Sequence, residues 1–81
     1  MSGLSLDLHG YTTDQVEDAI DKFLIKASKS GQKRARIVTG KGTGAVQKVA
    51  IQYLKAAGYP WEYEKLPNNA KNTGVLTIFL D

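Results

Sequence analysis

Two short stretches gather the side chains that could do chemistry. The first is Leu6-Asp7-Leu8-His9-Gly10, which holds the only histidine of the chain. Asp7 and His9 are two residues apart, so on a strand their side chains share one face, with Cα atoms about 6.5–7 Å apart. An imidazole titrates near neutrality and can lend or take a proton during transfer at phosphorus. The neighbouring carboxylate could fix its tautomer or serve as the partner acid or base. An exposed strand face is ordinarily polar, so taken alone the pair reads more readily as the wet side of a strand.

The second stretch is Thr39-Gly40-Lys41-Gly42-Thr43-Gly44. Glycines let the backbone approach an anion closely, and the helix expected to follow offers free N–H groups and a positive dipole end. Lys41 adds a point charge. The spacing is neither that of a P-loop nor that of a dinucleotide-binding fingerprint, and a plain flexible turn is the competing reading. Arg34 and Arg36 share one face of the strand before this loop, where they could contact phosphates or simply solvate the sheet. Trp61 and Tyr63 share a strand face and could stack on bases, although a small core is the commoner use for such rings.

The elements that hold these residues follow from patterning. Leu4, Leu6 and Leu8 alternate with polar residues, giving a first strand over Leu4–Leu8. Thr12 with Gln15 forms a capping box, Tyr11 and Val16 fit a hydrophobic staple, and Gly31 closes the helix. Between them Val16, Ala19, Ile20, Phe23, Leu24 and Ala27 make one apolar stripe. A second strand is expected over Arg34–Val38. The second helix carries Val46, Val49, Ala50, Tyr53, Leu54 and Ala57 and stops at Gly58 and Pro60. Trp61–Leu66 reads as the third strand, Pro67–Asn72 as an exposed loop and Val75–Leu80 as the fourth strand.

The order is β-α-β-α-β-β. Each helix has one apolar stripe and can cover one sheet surface, and right-handed crossovers could place both helices on the same side. The expected fold is an α/β two-layer sandwich: a four-stranded mixed sheet with two helices on one face. Leu4, Leu6 and Leu8 would then point at the helices, leaving Asp7 and His9 at the open face or its rim. If the first two strands are parallel neighbours, His9 and Lys41 leave the sheet at one edge, where open α/β sheets tend to bind ligands.

Composition bounds the rest. At 81 residues the chain is one domain, 1–81, with Met1-Ser2-Gly3 a flexible start or an appended remnant. It has no cysteine, hence no disulfide framework, thiolate nucleophile or zinc ribbon. No apolar run approaches a membrane span and no signal peptide is evident, so no membrane partner is expected and the cytoplasm or an organellar interior is the expected compartment. The net charge of +3 divides unevenly, −2 over residues 1–31 and +5 over 32–81. A basic second half could face a polyanion or be plain solvation.

Leu6-Asp7-Leu8-His9-Gly10, followed some thirty residues later by Thr39-Gly40-Lys41-Gly42-Thr43-Gly44, resembles the Smr (small MutS-related) domain over nearly the whole chain. That family has a two-layer fold similar to the C-terminal domain of translation initiation factor three, in agreement with the order above. The resemblance implies a nucleic-acid endonuclease module, with relatives that nick DNA and others that cleave messenger RNA, including on stalled ribosomes. It places Asp7 and His9 on the family's catalytic Asp-x-His positions. It also places Gly40, Lys41, Gly42 and Gly44 on the substrate-binding loop, and Gly10, Thr39 and Thr43 beside them are expected to complete the phosphate-binding set. Many members have histidine where this chain has Thr39, and the family's C-terminal glycine-rich stretch is reduced to Asn72-Thr73-Gly74. No cofactor is evident. Asp7 alone is a thin basis for two-metal catalysis, and divalent-metal dependence stays open. RNA is the favoured substrate because its 2′-hydroxyl is an internal nucleophile, and DNA nicking is the second possibility. The alternative is a non-catalytic module that uses the same face to bind RNA or DNA or to dock on the ribosome.

Overall fold

A computed structural model describes residues 4–40, 44–68 and 70–80. Six elements follow in the order β1 (Leu4–Asp7), α1 (Thr13–Lys29), β2 (Arg34–Val38), α2 (Ala45–Ala57), β3 (Trp61–Lys65) and β4 (Lys71–Phe79). The sheet order is β1-β2-β4-β3, with β1 and β2 parallel and both remaining pairs antiparallel. The expected four-stranded mixed sheet is the one observed.

Register explains which face is covered. Leu4 pairs with Ala35 and Leu6 with Ile37, while Ile37 pairs with Leu76 and Ala35 with Ile78. These residues project to the helix side, where Ala35, Ile37, Leu76 and Ile78 are fully buried. Val16, Ile20 and Leu24 of α1 and Ala50 and Leu54 of α2 close over them in one cluster. Both helices therefore lie on one face, because each brings a single stripe and the sheet offers a single apolar surface. The opposite face carries Ser5, Asp7, Arg34 and Arg36, all exposed.

The capping residues act as their sequence suggests. Thr12 is the N-cap of α1, and its N–H donates to Gln15 Oε1 at 3.1 Å. Gly58 ends α2 in the left-handed region at φ 82°, its N–H returning to carbonyls of the last turn.

Four strand boundaries differ from the sequence reading, one of them the end of β4, at Phe79 and not Leu80. β1 stops at Asp7, although the Leu8 N–H still donates to the Val38 carbonyl at 2.8 Å before the chain turns. β4 begins at Lys71, not at Val75, because Lys65 pairs with Lys71 and Glu64 with Asn72. The β3–β4 hairpin thus runs well past the apolar segment, and β3 itself stops at Lys65. Lysine and asparagine are poor strand formers taken singly, and pairing overrides that preference. A register shift between Tyr63 and Glu64 absorbs the extra residues on the β4 side.

Candidate functional site

The parallel pairing of β1 and β2 brings the two motif exits together. Asp7 pairs with Val38, so the turn holding His9 and the segment starting at Thr39 leave from adjacent strands at one edge. The chain reverses at Leu8–Tyr11, closed by the Tyr11 N–H donating to the Leu8 carbonyl at 3.0 Å. Gly10 takes the third position of this turn at φ 81°, a value that an L side chain rarely adopts and that a type II turn requires there. Leu8 is only 1% exposed and anchors the turn in the core.

The Asp7 carboxylate accepts a hydrogen bond at Oδ1 from the backbone N–H of His9, at 2.8 Å. This is an Asx turn, in which an aspartate side chain stands in for a backbone carbonyl. The sequence suggested a carboxylate sharing a strand face with the imidazole. The structure instead puts His9 two residues beyond the strand and lets Asp7 fix its main chain. Both residues are exposed. His9 also borders a groove of about 620 Å³ that runs along the first turns of α1 past Tyr11, Asp14 and Asp18.

The second motif is held at its start. The N–H groups of Thr39 and Gly40 both donate to the Gly74 carbonyl of β4, at 2.9 and 3.1 Å. The Thr39 hydroxyl lies 3.3 Å from the carbonyls of Gly40 and Gly74 and is turned into the fold. Lys41, Gly42 and Thr43 lie outside the described residues. The loop re-enters at Gly44, the residue before α2, whose φ of 82° again suits glycine.

A residue that patterning did not single out ties this region together. Gln47, in the first turn of α2, donates from Nε2 to Thr39 Oγ1 at 3.2 Å and to the Thr73 carbonyl. Its Oε1 faces the Tyr63 hydroxyl at 3.4 Å. Asn72 works from the other side, its Oδ1 accepting the Gly74 N–H at 3.1 Å and its Nδ2 donating to Glu64 Oε2 at 3.3 Å. The shortened Asn72-Thr73-Gly74 stretch therefore buttresses the entry to the glycine loop. Only a polar residue one turn into a helix that directly follows that loop hinted at Gln47.

The two arginines have partners within the chain. Arg36 makes an ion pair with Glu64 across the open face at 2.9 Å. The Arg34 guanidinium stands over the Phe79 ring, 5.5 Å from its centroid. Trp61 and Tyr63 lie on the helix side and pack half-buried against the core. Among the described residues no three His, Cys, Asp or Glu side chains gather as a metal-binding group. No helix among them is long and apolar enough to cross a membrane.

Comparison with known proteins agrees with this geometry. The sequence model of the Smr domain matches residues 6–81. The chain is 32% identical over 77 residues to the protein named endonuclease MutS2 of Carboxydothermus hydrogenoformans, covering 95% of this chain and 10% of that protein. It is 35% identical over 80 residues to endonuclease MutS2 of Lacticaseibacillus casei, covering 96% of this chain and 10% of that protein. The chain thus spans about a tenth of the length of these relatives. The crystal structure of the Smr domain of Thermus thermophilus MutS2 superposes with a TM-score of 0.81 at 26% identity, covering 96% of this chain and 98% of that one. With the two motifs at one sheet edge and the match running through β4, the chain belongs to the Smr domain family.

Proposed function

We propose that the domain is an endonuclease module that cleaves a nucleic-acid phosphodiester, with RNA the preferred substrate. The observation that carries this reading is the convergence of the His9 turn and the glycine-loop entry at adjacent parallel strand ends. Its relatives' name, endonuclease MutS2, supports the same class of chemistry.

In this reading the scissile phosphate sits between the His9 turn and the glycine loop. Loop N–H groups and Lys41 neutralise charge that builds on the phosphoryl oxygens. His9 takes the proton from the ribose 2′-hydroxyl as that oxygen attacks phosphorus. The bond to the 5′-oxygen breaks, and the departing oxygen is protonated by a general acid or by water. The products are a 2′,3′-cyclic phosphate and a 5′-hydroxyl. Asp7 holds the turn through the His9 N–H, and its second oxygen remains available to orient the imidazole or the attacking hydroxyl.

The test is cleavage of matched single-stranded RNA and supercoiled DNA by the parent and His9→Ala, with and without EDTA, followed by end-group analysis. Loss of about 10²–10⁴-fold in rate is expected for His9→Ala, the usual worth of a positioned general acid or base. Equal rates for the two proteins would remove His9 from the chemistry. Nucleic-acid binding without cleavage of any substrate would instead establish the binding or ribosome-docking module.

A further inference from the structure

Three strands end at the same edge. β3 is antiparallel to β4, as β2 is, so β3 runs in the direction of β1 and β2. Across the order β1-β2-β4-β3, that edge presents Asp7, then Thr39, then Asn72 to Gly74, then Lys65. Neighbouring strands are about 4.8 Å apart, and Lys71 lies four residues beyond Val75, the partner of Val38, so the hairpin end is about 14 Å from Asp7 across the sheet and about 13 Å further along it.

Lys65 and Lys71 face each other there as direct cross-strand partners, and both are exposed. Like charges directly opposite destabilise a strand pair. Among the described residues neither ammonium makes an ion pair. Glu64, the nearest acid in sequence, is committed to Arg36 and Asn72 on the opposite sheet face. Among the described residues the lysine pair is thus relieved by no ion pair, and Glu62, which shares their groove, is the one carboxylate lining it.

The same two lysines, with Trp61, Tyr63 and Glu62, line a groove of about 430 Å³ on the edge strand. The two rings stand edge to face, with centroids 5.2 Å apart and planes at 81°. Both are half-buried, so each leaves part of its surface in the groove. Paired cations beside partly open aromatic rings form a surface suited to a single-stranded polyanion with unstacked bases. A paired duplex keeps its base faces covered and gains nothing from the rings.

We propose that this groove binds the single-stranded segment flanking the phosphate held at the Asp7–His9 edge. Lys65 and Lys71 contact its backbone, and the Trp61–Tyr63 pair receives a base. The inference rests on the nucleic-acid reading above and adds a second contact region to it.

Trp61 is the only tryptophan of the 81 residues, so its fluorescence reports on this groove alone. The whole domain is titrated with a single-stranded oligonucleotide whose 2′-hydroxyls are methylated to prevent cleavage. Anisotropy gives the affinity across a salt series, and Trp61 emission is read in parallel. The parent should show quenching on binding. Lys65→Ala/Lys71→Ala should lose most of that quenching, and its log K against log salt slope should be shallower by about 1.4, two single-strand phosphates' worth. Lys71→Glu should bind more weakly yet melt at a higher temperature than the parent, because it relieves the lysine pair. A lysine with only a structural role would not weaken binding while raising stability.

Parent-like slope and quenching in the double variant would overturn the groove while leaving the motif edge in place. Equal affinity for a duplex, with the same loss in the double variant, would overturn the single-strand assignment. A parent that binds no nucleic acid at low salt would overturn both this inference and the proposed function. Loss of slope in the double variant, with unimpaired cleavage by His9→Ala, would keep the groove and refute only the chemistry.

Discussion

The Gln47 clamp makes a sharp prediction through the substitution Gln47→Met, which keeps length and helix propensity but removes both donors. The change deletes the bonds to Thr39 Oγ1 and to the Thr73 carbonyl. A neutral hydrogen bond contributes about 0.5–1.5 kcal/mol net. Gln47 is half-buried, so water partly replaces what is lost, and the pair should be worth about 1–2 kcal/mol. In a domain of 81 residues, each kcal/mol moves the melting temperature by about 4–8 °C, so a fall of about 5–15 °C is expected. Circular dichroism melts and urea curves with an unchanged m-value would measure it. Amide exchange locates the effect: the Thr39 and Gly40 N–H groups, which donate to Gly74, should exchange faster than the rest of β2. Tyr63→Phe removes only the 3.4 Å contact to Gln47 Oε1 and should change stability by less than about 0.5 kcal/mol. A Gln47→Met protein within about 0.5 kcal/mol of the parent, with unaltered exchange at Thr39 and Gly40, would show that the clamp does not hold the loop.

Two further outcomes follow from single contacts. Asp7→Asn keeps an oxygen that can accept the His9 N–H, whereas Asp7→Ala keeps none. Urea unfolding should find Asp7→Ala less stable by about 0.5–1.5 kcal/mol and Asp7→Asn close to the parent. If the charge also takes part in chemistry, both should cleave RNA more slowly than the parent. The Tyr53 hydroxyl donates to Asp21 Oδ1 at 2.6 Å, and this bond to a carboxylate, with some burial, raises its pKa from 10.0 to about 12. The folded state thus holds its proton above the pH at which the unfolded chain releases it. The contribution is fully present below about pH 10 and is lost as pH rises toward 12. Between those values the stability of the parent should fall more steeply than that of Tyr53→Phe, as read by urea unfolding at stepped pH.

What could be read from the chain, and what could not, separates by the range of the interaction. Helix ends are local events. Thr12 finds Gln15 three residues on, and Gly58 returns its N–H to the turn just before it, so both boundaries are written in adjacent residues. The covered face is equally plain, because Leu4 and Leu6, then Ala35 and Ile37, alternate with polar partners. The two motifs are also local, and the parallel pairing of β1 and β2 suffices to bring them together. The start of β4 is different. Lys71, Asn72 and Thr73 carry no apolar signal and become strand only because β3 lies opposite. Arg34 and Arg36 read from the sequence as phosphate contacts or as plain solvation, and their partners within the chain, Phe79 and Glu64, arrive from strands far along it.

The same division runs through the candidate site. Groups that would touch a substrate sit in compact motifs, since a turn or a loop must present them within a few residues. Groups that hold those motifs are scattered: Gln47 reaches Thr39 across eight positions, Tyr63 across sixteen and Thr73 across twenty-six. No periodicity marks such a residue, because its partners are fixed by sheet order and not by spacing. A chain with both motifs intact could therefore still lose its loop geometry through Gln47 or Asn72. If the proposed chemistry holds, its rate should depend on the pairing of β2 with β4 as well as on Asp7 and His9, because the Gly74 carbonyl accepts the N–H groups of Thr39 and Gly40 at the entry to the glycine loop.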